Sequence, residues 1–184
     1  SYRRQRRRND LQYAPFRMEG MEQDVREMME IDTPQGKLAL QIGGTIDRLD
    51  SKGDTLRIVD YKTGGTPKTP ENIEQLFTPA DNRPNYIFQT FLYAAILCRK
   101  QSLKVAPSLL YIHRAASESY SPVIEMGAPR QPKVPVNNFA FFEDEFRERL
   151  HGLLQEIFSQ EETFSQTADT RKCEYCDFRS LCKR

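Results

Sequence analysis

The sequence predicts an α/β domain: a mixed β-sheet flanked by helices, ending in a cysteine-rich segment. Three stretches carry this prediction. Residues 44–50 and 56–64 alternate apolar and polar side chains on either side of the turn Ser51-Lys52-Gly53-Asp54, as the strands of a hairpin do. Residues 85–100 are helix-forming and apolar almost all round, which requires burial against a sheet. Residues 108–113 then read as another strand, and pairing it with the hairpin after a crossover through that helix makes the sheet mixed.

At 184 residues the chain is long enough for one domain with a real core, and one domain over residues 1–184 is expected. Hydrophobic content of 38% with 29% charged residues is ordinary for a globular protein, and no apolar run is long enough to cross a bilayer. With no secretory signal visible, a cytoplasmic location is the default. The net charge of +1 excludes any argument from bulk electrostatics, so a nucleic-acid partner would have to be gripped by a local patch.

In chain order, residues 1–14 read as the end of a helix carrying Arg3, Arg4, Arg6, Arg7 and Arg8, either a phosphate-binding arm or a solvated helix end. Residues 14–22 alternate weakly and residues 37–42 strongly, with Leu38, Leu40 and Ile42 on one face, so both read as strands. Residues 63–84 form a proline-rich loop with one helical turn at 71–77, fit for substrate binding or a disordered insertion. The next helix puts Tyr86, Ile87, Phe88, Phe91, Leu92, Tyr93, Ile96 and Leu97 in the core, with Cys98 as a buried thiol. Residues 122–126 are a weaker strand, and 127–138 a loop. A last amphipathic helix spans 139–159, with Phe142, Phe146, Leu150, Leu153, Leu154 and Ile157 inside and Glu143, Glu145, Arg147, Glu148 and Arg149 outside. His113 and His151 read as surface residues.

The hairpin carries the chemistry. Side chains alternate along a strand, so Asp60 and Lys62 share one face while Tyr61 points to the other. Asp47 ends the neighbouring strand and adds a second carboxylate, and two such groups repel unless a cation lies between them. Hard oxygen ligands without a nearby histidine suit magnesium or manganese. Gln89 and Tyr93, four residues apart, lie on one helix face. An unpaired buried amide costs about 1–3 kcal/mol, so Gln89 is expected to look into a polar cleft. The plainer account of the acids is a hairpin salt bridge of Asp47 or Asp60 with Lys62 or Arg48, worth about 0–1 kcal/mol on an exposed sheet. Asp50 fits better as a partner for an arginine than as a metal ligand. Cys173, Cys176 and Cys182 lie within ten residues, a density that points to metal ligation in the segment 170–184.

The order Gly-x-x-Asp, Asp-x-Lys, Gln89-x-x-x-Tyr93 and Cys173-x2-Cys176-x5-Cys182 resembles the PD-(D/E)XK nucleases. Within them it is most similar to the RecB-like branch and the iron-sulfur nuclease domain of AddB-type helicase-nuclease subunits. The resemblance implies a restriction-endonuclease-like fold and hydrolysis of DNA phosphodiesters as a magnesium- or manganese-dependent exonuclease. Asp47, Asp60 and the backbone carbonyl of Tyr61 would hold the cation, Lys62 would stabilise the developing charge, Gln89 would orient the water, Lys62 or the phosphate, and Tyr93 would complete the catalytic set. It also implies a [4Fe-4S] cluster on the three cysteines, with a zinc knuckle as the rival, and a helicase motor as partner in double-strand-end repair. In that family a further metal ligand and a first cluster cysteine lie upstream, so the chain is expected to be the C-terminal segment of a larger polypeptide, weakly active or inactive alone. Two other readings are an idle DNA-end-binding module and a nuclease of CRISPR adaptation.

Overall fold

The computed structural model describes residues 2–80, 82–117, 119–159, 165–167 and 169–183. Helix α1 (Tyr2–Tyr13) leads into two long strands, β1 (Arg17–Thr33) and β2 (Gly36–Lys52), and then β3 (Thr55–Lys62). One helical turn, α2 (Glu74–Phe77), lies in the loop before α3 (Asn85–Cys98), which is followed by β4 (Lys104–Tyr111). The short strands β5 (Glu125–Met126) and β6 (Val134–Pro135) precede α4 (Ala140–Phe158). The main sheet has the order β1-β2-β3-β4, with β1, β2 and β3 antiparallel in turn and β4 parallel to β3. This is the mixed, helix-flanked sheet of the restriction-endonuclease-like fold.

The expected hairpin turn is present, with Gly53 at φ 61°, a conformation glycine adopts without a steric cost. The strands on its N-terminal side are longer than expected. Residues 37–42 and 44–50 belong to a single strand, and the strand expected at 14–22 runs on to Thr33. Strand β4 likewise starts four residues early, at Lys104, and includes Pro107. Leu109, on the same parity, donates its N–H outward to the Pro122 carbonyl at 2.9 Å, so Pro107's missing N–H lies on the outer edge and costs no bond to β3.

Helix α3 fills the core. Ile87, Phe91, Tyr93, Ala94, Ala95, Ile96 and Leu97 are all buried, packed with Leu49, Ile58 and Val105 of the sheet and with Phe139, Phe146 and Leu150 at α4. Three side chains, Tyr86, Arg147 and Ile157, depart from the expected pattern. Tyr86 is 41% exposed, on the loop-facing side of α3. Arg147, expected outside, is buried, because Glu27 of β1 receives its guanidinium in two bonds of 2.9 and 2.8 Å and Glu143 a third at 2.9 Å. Phe142 and Leu154 pack partly against the core, while Ile157 is exposed. Arg8 donates to the Ala116 carbonyl at 2.8 Å, whereas the side chains of Arg3, Arg4, Arg6 and Arg7 lie outside the described residues. No helix among the described residues is long and apolar enough to cross a membrane.

Candidate active site

The site forms where β2 and β3 part. Their ladder ends at the pair Arg48 and Val59, and beyond it the N–H of Tyr61 is donated to a side chain, Asp47 Oδ2, at 2.7 Å. A residue's N–H and C=O leave a strand on the same side, so the Tyr61 carbonyl faces the same gap. Asp60 and Lys62 flank Tyr61 and project towards α3. Lys62 Nζ lies 2.7 Å from Asp60 Oδ2 and donates to Gln89 Oε1 at 3.1 Å. Gln89 in turn donates from Nε2 to the Tyr93 hydroxyl at 2.9 Å. The four-residue spacing thus yields one continuous line, Asp60–Lys62–Gln89–Tyr93, with Asp47 beside its acidic end. The Gln89 amide is paired at both ends, and a hairpin salt bridge joins Asp60 to Lys62.

That salt bridge is not the exposed kind. The Asp60 side chain is 4% accessible and that of Lys62 15%. Burial pushes the Asp60 carboxyl above its ordinary value, Lys62 opposes the shift, and the negative charge of Asp47 adds to it. Asp60 Oδ2 and Arg48 Nη2 are the two buried side-chain polar atoms among the described residues without an aligned hydrogen bond, and each instead touches an opposite charge, Lys62 Nζ at 2.7 Å and Asp50 Oδ2 at 2.6 Å. A buried carboxylate with one lysine and a second carboxylate as its charged neighbours suits a hard divalent cation. Magnesium is commonly bound through one or two carboxylates plus waters and substrate phosphates, not by a full protein cage. Among the described residues no group of three or more His, Cys, Asp or Glu side chains converges as a metal-ligand set.

One residue, Tyr86, escaped the sequence reading as a neighbour of the site. Lys62 Nζ sits 4.4 Å from the ring centroid of Tyr86, a cation–π contact. Tyr86, Gln89 and Tyr93 fall at i, i+3 and i+7, a single helix stripe, and that spacing was the available signal. Gly44 makes room for Tyr93, since a Cβ there would lie 2.5 Å from the Tyr93 hydroxyl. Arg48 and Asp50, expected beside the site, are on the opposite face of the hairpin. There Asp50 fixes two arginines, accepting from Arg48 Nε at 2.7 Å and from Arg57 Nε and Nη2 at 2.9 and 2.8 Å. Glu22 is exposed in β1, and His113 is exposed after β4.

The cysteine segment shows no comparable convergence. Thr170–Cys173 forms a single 3-10 turn, the Cys176 N–H donates to the Cys173 carbonyl at 3.2 Å, and no two of the four cysteines are joined in a disulfide. Cys98 is half-buried in α3, and burial pushes its thiol up to about 11.

A parallel strand pair joined through a packed helix thus brings two acids and a lysine together at the mouth of a hairpin. A comparison with family models identifies the class. The model of the PD-(D/E)XK nuclease superfamily matches residues 1–183, and the chain belongs to that superfamily. No curated protein matches it.

Proposed function

We propose that this chain is a magnesium- or manganese-dependent deoxyribonuclease domain, with Asp47, Asp60 and the Tyr61 carbonyl as cation ligands and Lys62, Gln89 and Tyr93 completing the site. The observation that carries the reading is the buried Asp60 carboxylate, close to Asp47 and touched by a lysine that a glutamine and a tyrosine hold in line. When bound, the cation polarises the phosphoryl oxygen and lowers the pKa of its water. The protein's own residues do the rest. Lys62 presents its ammonium to the charge that builds on the phosphoryl oxygens, and Gln89 fixes the direction of that ammonium through its Oε1. Tyr93 anchors the glutamine amide and leaves only one of its rotamers useful.

The resemblance in motif order supports a narrower reading: an exonuclease of the RecB-like, AddB-type branch, working with a helicase motor on double-strand ends. It likewise supports a [4Fe-4S] cluster, or zinc, on Cys173, Cys176 and Cys182 with a fourth ligand from elsewhere. Iron, sulfide and zinc content of the longest natural polypeptide carrying this chain, purified anaerobically, decides between the two metals.

The central test is cleavage of labelled linear DNA by that polypeptide across a magnesium titration. Lys62→Ala is expected to lower the rate by about 10²–10³-fold, the usual cost of one transition-state donor. Asp60→Asn should lower it further. Magnesium-dependent cleavage that survives both changes undiminished rules the assignment out.

A further inference from the structure

Next to Lys62, the loop after β3 and the start of α3 enclose a cavity of about 320 Å3. Tyr86 and Tyr111 line it, with ring centroids 6.5 Å apart and planes inclined by 54°. Tyr86 joins the cavity to the active site, because the Lys62 ammonium rests on the same ring. Two cations, Lys68 and Arg83, also line it, and no carboxylate does so among the described residues. Neutral oxygens hold both in place. Lys68 Nζ donates to the Asn82 carbonyl at 2.6 Å, and Arg83 Nε donates to Asn85 Oδ1 at 2.9 Å. Gly65 keeps Tyr86 uncovered: it has φ +77°, and a Cβ there would stand 3.1 Å from the Tyr86 ring.

Aromatic faces beside fixed cations and an amide match the three parts of a nucleotide: a π-surface to stack on, a phosphate to neutralise and a base edge to hydrogen-bond. The volume is at the low end of ligand pockets, which span about 300–1,000 Å3, so it takes one nucleotide and not a base pair. Resting on the nuclease reading above, we infer that this cavity is a mononucleotide subsite for the unpaired nucleotide flanking the scissile phosphate, with its base on Tyr86 and its phosphate against Lys68 and Arg83. Any base pair at that position must open before the strand is cut, as in enzymes that extrude a nucleotide from the stack.

Binding to the metal-free full chain tests this without reference to cleavage, using dAMP, deoxyribose 5-phosphate and inorganic phosphate as calorimetric probes. We expect saturable dAMP binding about tenfold tighter than that of deoxyribose 5-phosphate, the margin a stacked base supplies. Tyr86→Leu should erase the margin and Tyr86→Phe should keep it, and Lys68→Ala with Arg83→Ala should weaken both sugar phosphates alike. No saturable binding of dAMP, inorganic phosphate binding as tightly as dAMP, or a margin unchanged in Tyr86→Leu would overturn the subsite. The two readings fail separately. Cleavage that needs Asp60 and Lys62 in a chain indifferent to dAMP removes the subsite alone. Normal dAMP binding in a chain whose cleavage ignores Asp60→Asn removes the nuclease assignment and leaves a nucleotide site.

Discussion

The two faces of the β2–β3 hairpin carry the same kinds of residue and do opposite things with them. Behind the hairpin, Asp50 is fully buried, and both of its oxygens accept bonds from Arg48 and Arg57. Arg48 reaches on to Asp10 of α1 at 2.6 Å, and the two guanidinium groups rest on Phe16 and Tyr13 at 4.7 and 3.4 Å from the ring centroids. In front, Asp60 is nearly as buried, yet one of its oxygens has no aligned donor and its nearest neighbours are a lysine and a second carboxylate. The back network ties α1 to the sheet through two arginines that share one carboxylate. The front sets two carboxylates against a single lysine. Neither charge nor hydrogen-bond completeness separates scaffold from site, because Arg48 Nη2 behind and Asp60 Oδ2 in front both lack an aligned partner; the ratio of acids to cations does.

The largest effects should therefore cross over between the faces. Asp50→Ala leaves Arg48 and Arg57 buried without their shared carboxylate, a loss of about 3–5 kcal/mol in urea denaturation. Asp60→Asn removes a carboxylate that burial already penalises, and should move stability by about 1 kcal/mol or less while removing cleavage. If Asp60→Asn unfolds the protein as readily as Asp50→Ala, the front is scaffold too and the distinction is lost.

What the sequence revealed follows the same division. Strand alternation paired Asp60 with Lys62 and helical spacing paired Gln89 with Tyr93, because each rule acts within one element; joining the two pairs into one site rested on the resemblance in motif order. The second half of β1 was hidden by an interaction between distant segments. Its inward positions are Val25, Glu27, Met29 and Ile31, and the glutamate among them breaks the apolar alternation. Glu27 is tolerated because Arg147 of α4 meets it 120 residues later, and for the same reason Arg147 looked like an outward-facing charge. Two charged residues that bury each other leave no trace in either local pattern. Tyr86 misled in the opposite sense. An aromatic on an apolar helix reads as core, and only the position of Lys62 shows that its ring is surface at the active site.

A smaller effect should come from Gly44, which touches the front network at its far end. An alanine Cβ would lie 2.5 Å from the Tyr93 hydroxyl and 2.8 Å from its Cε1, so the ring must shift and take Gln89 with it. Overpacking of this kind costs about 1–3 kcal/mol. If about 1.4 kcal/mol of that reaches Lys62 through Gln89, turnover falls about tenfold with oligonucleotide binding unchanged. Adding Tyr93→Phe removes the nearest obstructing atom and should recover stability. A double variant no more stable than Gly44→Ala would show that Tyr93 is not the obstacle.

The smallest effect is the most specific to the front face. The Asp60 carboxyl is raised in the folded chain, so the native state binds that proton more tightly than the unfolded state does. Its contribution to stability is therefore greatest below the ordinary carboxylate range and is lost as pH rises through the raised value. Without divalent cations, the stability of the wild type minus that of Asp60→Asn should decline with pH across this window and level off above it. Magnesium should reverse the trend. A cation that binds the ionised pair stabilises only the folded, deprotonated form, so melting temperature should rise with magnesium above the window in the wild type and stay level in Asp60→Asn. A magnesium response equal in both proteins would place the cation away from Asp60, and the Asp60–Lys62 contact would then be a buried salt bridge and nothing more.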